Sequence, residues 1–144
     1  MINYLTLKFI LKLLFIGSVF GNALDFGNKT ITAILEKRFT SPITTHKLLG
    51  YSFYENKSET IFQIEVLTDI DEINDAILFS FRSTSIIADI SKTHFTHSVV
   101  IIHFINKSNP IIAKTDLDCS KEYFLELKKT ESQWRNSCLS IQID

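Results

Sequence analysis

The sequence predicts an α+β fold: an antiparallel sheet of two β-hairpins in the order α-β-β-α-β-β-α-β, packed against a long central helix. Three observations carry this. Asp69 to Thr93 is apolar at helical spacing over most of its circumference. Two pairs of short, β-branched or aromatic stretches are each joined by a polar link headed by Asn-Lys-Ser. The 144-residue chain is 45% hydrophobic and 22% charged, a balance typical of a globular domain with a core.

The first 23 residues stand apart. Lys8 and Lys12 precede an apolar run from Leu13 to Phe20, and Gly21 and Ala23 are small, as a signal peptidase requires. The reading is a signal peptide over residues 1–23 and a single small domain over residues 24–144. The run after Lys12 is shorter than the roughly 20 apolar residues that span a bilayer. An uncleaved anchor is therefore the second reading, and no stable membrane insertion is expected after cleavage. Localisation follows: the protein is exported, either secreted or periplasmic. Without residues 1–23, 13 Lys and Arg face 16 Asp and Glu, a net charge of −3. That excludes a basic nucleic-acid surface, because the densest pair, Lys128 and Lys129, is flanked by Glu126 and Glu131 and reads as a solvated helix face.

Asn28 to Thr40 places Ile31, Ile34, Leu35 and Phe39 inward, with Glu36, Lys37 and Arg38 outward, and Ser41-Pro42 ends that helix. Lys47 to Glu55 and Thr60 to Leu67 form the first hairpin. In the long helix, Asp69 and Glu72 have capping-box spacing. Asp71, Asn74, Asp75, Arg82, Ser85, Asp89 and Lys92 make its polar side, and Leu78 alone falls on the wrong side. Ser98 to Ile105 and Ile111 to Thr115 form the second hairpin. Tyr123, Phe124, Leu127 and Trp134 share one face of a last helix, and Leu139, Ile141 and Ile143 alternate as a final strand. Asn56-Lys57-Ser58 laid over Asn106-Lys107-Ser108, at an offset of 50, also aligns Ile61 with Ile111 and Leu67 with Leu117, the pattern of an internal duplication.

Cys119 and Cys138 are the only cysteines, and in an exported chain they predict a disulfide. One straight helix between them would hold their Cα atoms about 27 Å apart, at 1.5 Å per residue. The bridge thus requires the helix to stop near Lys129 and the chain to return. Trp134 fits a continued helix better. Asn28, Asn56 and Asn106 head N-x-S/T sequons and are candidate glycan sites.

No catalytic residue, metal site or cofactor is assigned. His94-Phe95-Thr96 has the H-x-T form used by two-histidine phosphoesterases, but the second copy is missing: His46 and His103 are followed by other residues. Gly27 and Gly50 are the only glycines beyond the first segment, too few for a nucleophile elbow or a phosphate loop. Asp116 and Asp118 near Glu122 could hold a cation, but capping by Asp118 is the simpler role. The sequence-level expectation is a small exported binding domain whose partner is another protein. Its candidate surfaces are Asp75, Arg82 and Asp89 on the long helix and Tyr51, Phe53 and Tyr54 on the first hairpin. The alternatives are a hydrolase or phosphoesterase using His94 and His97 with Asp116, and a structural envelope component.

Overall fold

The computed structural model describes residues 26–40, 42 and 44–143; the signal-peptide reading falls outside them. Among the described residues, four α-helices and a five-stranded mixed sheet make an α+β fold. The elements are α1 (Asn28–Thr40), β1 (Lys47–Asn56), β2 (Glu59–Thr68), a 3-10 turn (Ile70–Glu72), α2 (Ile73–Ile90), β3 (His97–Phe104), β4 (Lys107–Asp116), α3 (Leu117–Phe124), α4 (Glu131–Ser137) and β5 (Leu139–Ile143).

The strands lie in chain order, β1 to β5. Both hairpins form, but the sheet is not wholly antiparallel. β2 and β3 run parallel, with Phe62 beside Ser98 and Val66 beside Ile102. The cause is α2. Its 18 residues carry the chain about 27 Å back along the sheet, so β3 starts at the same end as β2. Alternation of apolar residues reports which face a strand buries and not which way it runs.

The helix-facing side of the sheet carries Phe62, Ile64 and Val66 of β2, Val100, Ile102 and Phe104 of β3, and Ala113 of β4. They pack against Ile31, Leu35 and Phe39 of α1 and Ile77, Phe81, Ile87 and Ala88 of α2. Fully burying one such Leu, Ile or Phe contributes about 1.5–3 kcal/mol. α2 is the helix at the centre of this layer, yet its buried side is richer in hydroxyls than its pattern implies. Ser80, Ser83, Thr84 and Ser85 are all buried. Thr84 accepts a 2.9 Å hydrogen bond from Ser98, while Ser80 and Ser85 have no side-chain partner among the described residues. Ser85 therefore does not belong to the polar side expected for it, and Ile70, expected inward, is exposed.

Four local expectations are corrected. Asp69 and Glu72 form no capping box, because the Glu72 carboxylate instead accepts from Thr45 Oγ1 at 2.6 Å. The capping box belongs to α4, where Thr130 and Gln133 bond each other's backbone N–H. The last helix is two helices. α3 ends at Phe124, and Leu127, at φ 56° and 80% exposed, lies in the turn between them. Lys128 and Lys129 therefore lie in a loop, paired with Glu126 and Glu122, and not on a helix face. Asp116, not Asp118, caps α3 by accepting from the Cys119 N–H at 2.9 Å.

The early stop of α3 lets the chain double back. Cys119 and Cys138 are disulfide-bonded, with Cα atoms 5.7 Å apart. Trp134 is fully buried from α4, its Nε1 donating to Ser120 Oγ at 2.9 Å. It packs on Phe81, Tyr123 and Phe124 and so ties α4 to α2 and α3. The two hairpin turns fall on Lys57-Ser58 and Ile105-Asn106, not on the Lys107-Ser108 position that an offset of 50 demands. The alignment of the two halves thus does not coincide with their turns.

Candidate functional site

The sequence-level candidates are divided among three surfaces. On β1, Phe53 is half-buried, its ring 5.0 Å from Phe62 and 5.2 Å from Phe95, with Tyr51 beside it. Tyr54 lies on the opposite face, where its hydroxyl donates to Gln63 at 2.8 Å. These three side chains form no single patch. Asn28, Asn56 and Asn106 are all exposed, at the start of α1, the end of β1 and the β3–β4 turn. Asn28 Oδ1 accepts from Thr93 Oγ1.

The second surface is the sheet face without helices. Period-two alternation puts Glu59, Ile61, Gln63 and Glu65 of β2, His97, Val99, Ile101 and His103 of β3, and Ile112, Lys114 and Asp116 of β4 on it. Its polar groups pair with one another. Lys114 Nζ lies 2.5 Å from Glu59. His97 Nε2 lies 3.6 Å from Glu59 and 4.0 Å from Asp116, and His103 Nε2 lies 3.0 Å from Glu65. The hydrogen bond from Lys114, with the nearby His97 charge, holds the Glu59 carboxyl below its ordinary range against a smaller opposing effect of burial. His97 and Asp116 therefore do come together, but His94 is exposed and forms no hydrogen bond or ion pair with a described residue. Among the described residues, no group of three or more His, Cys, Asp or Glu side chains is arranged to hold a metal ion.

The third surface is on the outside of the helix layer. Asp75, Arg82 and Asp89 are all exposed along α2. Arg82 borders a groove of about 230 Å³ between α2 and α3, lined also by Leu78, Phe79, Tyr123 and Phe124. Trp134 backs it from below, stacked on Tyr123 and edge-on to Phe124. On the α1 side, Arg38 lies over the Phe79 ring at 5.8 Å and donates to Ser83 Oγ at 3.0 Å. Arg38 is thus half-buried, not outward as its helical position suggests. Burial, and then the charge of Arg82, lower its pKa from the ordinary arginine value.

Leu78 was the one sequence signal for this groove, as the apolar residue on the polar side of α2. Phe79, Tyr123, Phe124 and Arg38 join it only through tertiary packing. A smaller cavity of about 150 Å³ lies at the end of the sheet, beside Ile70, Phe104 and Ile105, and holds one charged residue, Asp69. No protein-family model, curated protein or solved structure matches the chain.

Proposed function

We propose that this chain is a small exported binding domain and that it holds another protein through the groove between α2 and α3. The observation that carries the reading is the groove lined by half-buried Leu78, Phe79 and Tyr123 over buried Phe124, with exposed Arg82 at its lip. At about 230 Å³ the groove is smaller than the roughly 300–1,000 Å³ of small-molecule pockets. It suits one or two side chains of a larger partner. Arginine and aromatic residues are also the types that dominate interface energetics. Export is supported by the character of residues 1–23, and the Cys119–Cys138 bridge is compatible with an oxidising compartment. No helix among the described residues is long and apolar enough to cross a membrane. The reading invokes no cofactor and no nucleic acid.

Photo-crosslinking in the exporting cell tests this. A photoreactive side chain at Leu78 should join the protein to a distinct partner, while the same group at Gln63 on the open sheet face should not. Equal labelling from both positions, or none from Leu78, contradicts the reading.

A hydrolase or phosphoesterase is the second reading, favoured by one contact: His97 stands between Glu59 and Asp116. It predicts turnover of a phosphodiester that His97→Ala abolishes. A structural envelope component is a third, and it predicts self-association on a sizing column.

A further inference from the structure

Arg38 and Arg82 flank one apolar groove: Arg82 lines it, and Arg38 lies over the ring of Phe79, which lines it too. Lys114, Lys121, Lys128, Lys129 and Arg135 each lie within salt-bridge distance of a carboxylate. Among the described residues, Arg38 and Arg82 have no such ion pair, nor have Lys29, Lys37, Lys47, Lys57 and Lys92, but only the two arginines adjoin the groove lined by Leu78, Phe79, Tyr123 and Phe124. The positions one helical turn from Arg82 are Leu78, Phe79, Ser85 and Ile86, none of them acidic. Asp75 and Asp89 stand about two turns away on either side, and Asp89 faces Lys121 at 3.6 Å.

Two guanidinium groups beside an apolar groove, one of them half-buried over an aromatic ring and bonded to Ser83 through Nε alone, leave N–H donors open to an anion. Guanidinium binds a carboxylate through paired hydrogen bonds, and it does so more strongly where water is partly excluded. Resting on the proposed function, the geometry points to a carboxylate subsite at Arg38 and Arg82. The occupant is a protein segment that seats a large apolar side chain between Leu78, Phe79, Tyr123 and Phe124 and lays an adjacent Asp or Glu on the two arginines. An anionic membrane surface is disfavoured, because Asp75 and Asp89 share the exposed side of α2 and residues 24–144 carry a net charge of −3.

Isotope-labelled protein titrated with short peptides tests this by NMR. A peptide with a Glu-Phe-Glu centre should shift the backbone signals of Leu78, Phe79, Arg82, Tyr123 and Phe124 and the Nε–H signals of Arg38 and Arg82. Binding should weaken at least about tenfold with a Gln-Phe-Gln centre, and again with Arg82→Gln, the loss expected of a charge-assisted pair. Equal binding of the two peptides overturns the carboxylate subsite while leaving the groove in place. If no peptide shifts the groove signals, both readings fall. Shifts produced by phosphatidylglycerol vesicles and by no peptide overturn the subsite in favour of a lipid headgroup.

Discussion

The open sheet face and the helix-layer groove both set cations among apolar side chains, yet they differ in whether those cations have carboxylate partners. On the sheet, Lys114 and His97 both lie beside the Glu59 carboxylate, His97 also lies 4.0 Å from Asp116, and His103 pairs with Glu65. On the helices, Arg38 lies over Phe79 and Arg82 lines the groove, and neither has a carboxylate partner among the described residues. A ligand on the sheet must first break favourable pairs. A carboxylate ligand in the groove would meet arginines that have no carboxylate partner among the described residues. Polar residues alone therefore do not mark a binding surface; the reading rests on unpaired arginines that adjoin an apolar groove.

The strongest way to break the contrast is to remove the groove's backing. Trp134→Ala deletes a fully buried ring and its bond to Ser120, and it should cost about 3–5 kcal/mol in denaturant unfolding. Peptide binding should disappear with it. Next comes the bridge. Replacing Cys119 and Cys138 by serine releases the loop that returns α4 to α3, an expected loss of about 3 kcal/mol. The open face should keep its ion pairs in both variants, as side-chain NMR can show.

Smaller effects sharpen the comparison. Lys114→Gln removes the main cause of the depressed Glu59 pKa, so the Glu59 titration should move upward toward the ordinary carboxylate range. The sign follows from linkage. A carboxyl depressed in the folded state stabilises above its unfolded pKa, and that contribution is lost as pH falls through the folded value. The wild type should therefore lose more stability on acidification than the variant does. Smallest is Arg82→Gln, an exposed change that should alter unfolding free energy by no more than about 0.5 kcal/mol.

Periodicity made much of the fold legible. The bounds of α1, the first hairpin and β5 follow directly from apolar spacing and turn residues. The parallel β2–β3 pair does not, since alternation carries no direction. The break after Phe124 was hidden because Leu127 and Trp134 continue a helical stripe, although Leu127 adopts a left-handed backbone and points to solvent. The groove was legible only as the misplaced Leu78 beside Arg82. Its other wall, Tyr123 and Phe124, arrives through the packing of α3 on α2, and Arg38 turns inward because Ser83 offers it an acceptor.

Whether the groove binds an acidic peptide is decided by one paired measurement. The affinity of the Glu-Phe-Glu peptide is compared in Arg82→Gln and Lys114→Gln, each of which removes one cation from one face. The groove account predicts a loss of at least about tenfold in Arg82→Gln and none in Lys114→Gln. Loss in Lys114→Gln with full binding retained by Arg82→Gln would contradict it.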